Sequence, residues 1–242
     1  MGLDFTIFID YGPRILQGFL LTVQIVAGAV AIGLPLGVLL ATGRQSSLPP
    51  VRLLCTIVIE VVRNTPFMIQ VFLLYYVLPF YGLRMPANLV GVLGLALFGS
   101  VYYAEVIRGG IDAIPRGQLE SARAIGMSKW QAMRNIVLPQ TLPIILPPLG
   151  NQTLSLVKES AILSTITVQE MTMTALRVQG ETFRPFEAFI MIALLYWAFN
   201  ETIAMALRSY ERKLKREGAE AEAVAPGVGA RLLAAVQGRA AR

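Results

Sequence analysis

Residues 15–41, ILQGFLLTVQIVAGAVAIGLPLGVLLA, contain no charged side chain. A helix of that length rises about 40 Å, enough to cross a hydrocarbon layer roughly 30 Å thick. Apolar runs of this kind belong in lipid, because no soluble core of ordinary size needs them. Similar stretches at 53–79, 89–107, 148–166 and 187–207 predict four more spans. Prolines 139, 143, 147 and 148 blur the start of the fourth. Composition agrees: 15% of residues are charged, against about 25% in soluble domains. The predicted fold class is an all-α membrane protein of five transmembrane helices, with a cytoplasmic loop between the third and fourth.

The net charge of +6 is distributed as a topology signal. Of 21 Lys and Arg, two lie in 42–52, five in 105–141 and eight in 208–242. Only four lie in 1–14, 80–88 and 167–186. Basic residues concentrate on the cytoplasmic side, so the N-terminus is expected outside and the C-terminus in the cytoplasm. The basic balance gives no support for a nucleic-acid partner. Residues 1–14 read as an external lead, 15–210 as the membrane domain with its loop at 109–139, and 211–242 as a cytoplasmic tail. From about Gly218 the tail is Ala/Gly-rich and expected to be disordered. No basic, apolar and small-residue series precedes the first span, so no cleaved signal peptide is expected.

Several chemistries drop out. The chain has no His, which removes His-based acid–base dyads and His-ligated metal sites. Its one cysteine, Cys55, sits in an apolar run and reads as packing. There is no G-x-x-x-x-G-K-[ST], hence no nucleotide-binding loop. Neither a metal nor a cofactor is expected.

One segment is out of character. ESARAIGMSKWQAMRNIVLPQ (120–140) carries Glu120, Arg123, Lys129 and Arg134 between apolar spans. It reads as short amphipathic helices at 118–125 and 128–138, broken at Gly126, with Ser128 and Gln131 spaced for a capping box. By itself it suits a helix pair lying on lipid headgroups. However, Glu120-Ser121-Ala122, Gly126 and Ile136-x-Leu138-Pro139 resemble the E-A-A-x3-G-x9-I-x-L-P loop of permease subunits from binding-protein-dependent ABC importers. Ser121 stands where Ala is usual. YYAEVIRGGIDAIPRGQLESA, RNTPFMIQVFLLYYVLP and PPLGNQTLSLVKESAILSTI resemble the polar amino-acid branch, and the likeness runs from about Ile15 to Arg208.

The resemblance implies that Glu120, Ser121, Ala122, Gly126 and Met127 contact a separate ATP-hydrolysing subunit, so the chain is not itself an enzyme. A charged rim around Leu119, Ala122 and Met127 fits a protein partner. It also implies a second permease subunit, two ATPase subunits and an extracytoplasmic amino-acid-binding protein, in the inner membrane of a bacterium. LVKESAILSTI resembles transporters of acidic amino acids or their amides. A channel or anchor without ATP coupling is the alternative.

Charges inside spans are costly and usually functional. Arg63 lies about 16 Å beyond Arg52 along a helix, and Lys158 about 15 Å beyond Pro148, which puts both near mid-depth. Arg63-Asn64-Thr65-Pro66 predicts a helix break with Thr65 as N-cap and Pro66 opening a new helix toward an anion. A proline kink with Arg63 neutralised by Glu60 fits equally. Asn151, Gln152, Ser155, Lys158, Glu159 and Ser160 form a polar helix surface for a zwitterionic substrate or for packing against another span. Lys158 and Glu159 point about 100° apart and cannot pair ideally. Asn200 and Glu201 read as packing residues.

Overall fold

The computed structural model describes residues 6–224, with side chains through residue 213. The tail from 225 onward, including most of the segment expected to be disordered, lies outside the described residues. Ten α-helices, with 3-10 and π turns between some of them, make up the described chain. They are α1 (Thr6–Asp10), α2 (Gly12–Arg44), α3 (Pro49–Arg63), α4 (Phe67–Phe72), α5 (Ala87–Asp112), α6 (Arg116–Ala124), α7 (Lys129–Ala132), α8 (Leu138–Glu159), α9 (Met171–Thr182) and α10 (Pro185–Val224).

Among the described residues, three helices are long and apolar enough to cross a membrane: Gly12–Arg44, Ala87–Asp112 and Pro185–Lys213. They coincide with the first, third and fifth expected spans. The second is not one straight helix: α3 and the segment Phe67–Tyr81 meet at a 108° bend, and together count as a fourth candidate. The fourth expected span starts ten residues early, at Leu138, and gives way to a 3-10 turn at Ser160–Ile166. Its polar surface and prolines 143, 147 and 148 leave α8 long enough but short of the apolarity of the other three.

The centre is the pair α2–α5. Gly33 and Gly37 on α2 lie against the backbone of Ala96 and Ser100 on α5, and Gly37 also meets Tyr103. The pairings rise together along both helices, so α2 and α5 run in the same direction. This is the small-xxx-small contact by which membrane helices approach without a hydrophobic driving force. On the other side of α5, α8 runs the opposite way: Gly110 meets Ile145, Tyr103 bonds Thr153 at 2.9 Å, and Gly99 meets Leu156. Leu95, Ala96 and Tyr103 of α5, Leu156 of α8 and Phe67 and Val71 of α4 are buried together in the main core.

A second cluster joins the start of α2 to α9 and α10 through Ile15, Ala175, Ala188 and Met191. Glu170 fixes that junction. It is fully buried and caps α9, accepting from Thr172 N at 2.9 Å and Met173 N at 2.7 Å, while Tyr196 of α10 donates to it at 3.0 Å. Burial pushes its carboxyl pKa up, and these hydrogen bonds pull the other way.

Candidate functional site

The RNTP stretch is a real break, but built differently from expectation. Pro66 itself is the N-cap of α4, which starts at Phe67. Thr65 does not cap: its hydroxyl donates back to Val61 O at 2.8 Å. Asn64 Nδ2 likewise donates to Glu60 O at 2.7 Å. Gln70, which the sequence reading passed over, donates to Val62 O at 2.8 Å and Thr65 O at 2.9 Å. Side chains thus take up the carbonyls that α3 loses by ending inside the bundle, where an unpaired carbonyl is expensive. Phe67 is buried and α4 lasts six residues before a π turn.

Arg63 is paired, though not with Glu60. Its Nη1 lies 3.2 Å from Oε2 of Glu105 on α5, and its guanidinium stands 5.9 Å from the Tyr102 ring. Glu105 also holds Arg108, at 3.1 Å, and Arg44, the last residue of α2. Arg44 reaches Glu60 at 3.2 Å, and Arg108 reaches Asp112 at 2.7 Å. Three arginines and three carboxylates therefore form one network where α2 and α5 end and α3 breaks.

This geometry corrects the depth of Arg63. It shares the carboxylate of Glu105 with Arg44, the final residue of α2. The α5–α8 contacts put Lys158 near the level of Leu97, eight residues from Glu105, or about 12 Å along the axis. Arg63 and Lys158 are not at one depth. Asn151, by the same contacts, is level with Glu105.

The α8 polar residues divide by surface. Asn151 and Lys158 are exposed, and Gln152, Ser155 and Glu159 are half-buried. Ser155 Oγ donates to Asn151 O at 3.2 Å. Among the described residues neither Lys158 nor Glu159 forms an ion pair, with each other or elsewhere. Ser160, grouped with these residues in the sequence, is fully buried and donates to Val157 O at 2.7 Å. Asn200 donates to Tyr196 O at 2.9 Å and Glu201 pairs with Arg208, so both serve α10.

The charged insert is a stiff elbow. Gly126 has φ +87°. Its N–H donates to Arg123 O at 3.0 Å and that of Met127 to Ala122 O at 3.1 Å, the paired bonds of a Schellman helix stop. Ser128 and Gln131 form the expected capping box, at 3.2 and 2.8 Å. The second helix is shorter than expected: α7 passes through a π turn (Met133–Val137) directly into α8. Ala122 is buried within the insert, so it cannot touch a partner. Ile125 (75% exposed) and Trp130 (68% exposed) present the apolar surface instead, beside exposed Glu120 and Ser121.

Helices long and apolar enough to cross a membrane thus pack around α8 and its polar surface, with the polar elbow at its start, as in a membrane-embedded protein. Residues 33–216 match the family described as binding-protein-dependent transport system inner membrane component, and the chain belongs to that family. It is 34% identical to a Bacillus subtilis protein named probable glutamine ABC transporter permease protein GlnM, over 88% of this chain and 99% of that one. It is 36% identical to BztC of Rhodobacter capsulatus, a glutamate/glutamine/aspartate/asparagine transport system permease, over 83% of this chain and 48% of that one. Its fold matches a chain of a crystal structure described as an amino acid ABC transporter with histidines. There the TM-score is 0.84 and the identity 39%, covering 88% of this chain and all of the other.

Proposed function

We propose that this protein is the permease subunit of an ABC importer for polar amino acids. It crosses the membrane five times, with α8 as the fourth span, the N-terminus outside and the C-terminus in the cytoplasm. A second permease subunit completes the path, two ATPase subunits bind below, and an extracytoplasmic binding protein delivers substrate above. Hydrolysis on the ATPase subunits drives the path between inward- and outward-facing states.

The observation that carries this reading is the elbow. Its turn is satisfied internally, yet it leaves Glu120, Ile125 and Trp130 exposed. A membrane-surface helix has no need of such stiffness, whereas a lever gripped by a soluble subunit does. The kinship with relatives named for glutamine and other polar amino acids supports the substrate class. The binding residues on this reading are Arg63, Asn64, Thr65 and Pro66 at the break, with Asn151, Gln152, Ser155, Lys158 and Glu159 along α8. Uptake of labelled glutamine, glutamate, asparagine, aspartate and arginine tests it, with the cognate ATPase and binding protein in proteoliposomes. ATP-independent flux would favour the channel alternative.

Two expectations belong here. A reporter active only outside the cell should work when fused near residue 84 or 177 and fail near 116 or after 212. The reverse pattern would put the elbow beyond reach of any ATPase. Lys158→Ala should leave the complex assembled, since among the described residues no ion pair holds this side chain. Losing one charge-assisted bond to a substrate carboxylate should weaken uptake about tenfold or more. Failure to assemble would make Lys158 a packing residue.

A further inference from the structure

We propose that Glu105 is a positioning residue: its carboxylate carries movement of the 116–137 insert to the α3–α4 break. This rests on the transport reading above. The path is continuous. The insert begins four residues after Asp112, the end of α5. Asp112 holds Arg108 at 2.7 Å, Arg108 holds Glu105 at 3.1 Å, and Glu105 holds Arg63, the last residue of α3, at 3.2 Å. A second branch runs from Glu105 through Arg44 to Glu60, one turn before the break.

The apolar contacts at this junction set its register less strictly than the ion pairs do. Ile59 and Val62 of α3 pack on Val101, Ala104 and Ile107 of α5, and apolar contact is non-directional, so it tolerates sliding. The Gln70 bonds tie α3 to α4 and leave α5 out. Phe67 of α4 also packs on Phe98 of α5, with ring centroids 4.9 Å apart, and the ion pairs add the directional contact between the end of α3 and α5. Glu105 is the shared member: its side chain is 19% exposed and faces three guanidiniums. Neutralising it leaves three cations against Glu60 and Asp112, and the arginines should separate, releasing the break from the helix that moves with the insert.

The test is Glu105→Gln in the complete transporter. Its binding protein carries whichever of L-glutamine, L-glutamate, L-asparagine, L-aspartate or L-arginine most stimulates the wild type. The readout is ATP hydrolysis with and without that protein, over a range of its concentration. Glu105→Gln should retain its ATPase subunits but lose at least four-fifths of the stimulation. The half-saturating concentration should not change, and Glu105→Asp should restore most of the effect. Wild-type stimulation in Glu105→Gln overturns the proposal. If Glu105→Gln does not assemble, Arg63→Gln decides: a lowered maximum at unchanged half-saturation supports the proposal. A raised half-saturation at unchanged maximum means that Arg63 affects only how tightly the loaded binding protein engages, and overturns it. If the wild type itself shows no stimulation by any of the five, the transport reading fails and this proposal falls with it. Stimulated wild type beside an unaffected Glu105→Gln removes only the role of Glu105.

Discussion

Replacing Gly126 with valine is expected to cut retention of the ATPase subunit at least tenfold while the chain still inserts and folds. The cause is conformational. Gly126 holds φ +87°, and no atom lies within 4 Å of where a Cβ would stand, so crowding inside the subunit is excluded. A β-branched residue pays roughly 1–3 kcal/mol to hold a left-handed backbone. That is small against a fold stability of about 5–15 kcal/mol, so the membrane helices survive. It is large for a docking surface, where about 1.4 kcal/mol is tenfold in affinity. The chain escapes the strain by opening the Schellman bonds at Arg123 and Ala122, which swings Ile125 away from Trp130. Asparagine tolerates the left-handed region far better than valine. Gly126→Asn should therefore keep most ATPase binding. Co-purification and stimulated ATP hydrolysis measure both variants. Wild-type behaviour in Gly126→Val would mean the elbow is not the transmission element.

Local signals in this sequence proved readable where the physics is local. A charge-free run must be a long helix in lipid, and α2 is one. Gly126 followed by Ser128 and Gln131 announces a stop and a restart within a few residues, and both are present. What the sequence concealed is tertiary. Arg63 and Glu105 are 42 positions apart, and nothing in either helix's periodicity marks them as partners. The i,i+3 neighbour Glu60 was the visible candidate, yet Arg44 takes it. The same limit misplaced Arg63 in depth, because counting 1.5 Å per residue from Arg52 assumes a helix that runs along the bilayer normal, whereas Arg63 shares Glu105 with Arg44, the last residue of α2. Ala122 illustrates the converse. Its place in the loop motif marked it for a partner, while the fold turns it inward and leaves Ile125 and Trp130 outside. Spacing along a helix gives the angular position of a side chain, but which side is covered depends on neighbours the pattern does not name.

Gly37→Leu is expected to lower the yield of folded, monodisperse protein more than tenfold, and the comparison that explains why is with another glycine of the same bundle. A Cβ at Gly37 would stand 2.7 Å from Tyr103 Cβ and 2.9 Å from Ser100 O. The second of these is backbone and the first is fixed to it, so neither can rotate away. Relief requires α2 to lift off α5, which also undoes the contact of Gly33, where a Cβ would lie 2.8 Å from Ala96 O. Overpacking costs typically 1–3 kcal/mol even in cores that can adjust, and the rigid backbone on both sides leaves little adjustment here. Gly99 meets the same nominal distance, 2.9 Å, but to Leu156 Cδ1, the end of a flexible side chain. Gly99→Ala should therefore lose less than half of its yield. Size-exclusion profiles in detergent and resistance to limited proteolysis measure both. Equal yields for the two variants would mean that α2 and α5 do not keep this backbone contact in the membrane. In that event Arg44, carried by α2, would no longer be held where it meets Glu105.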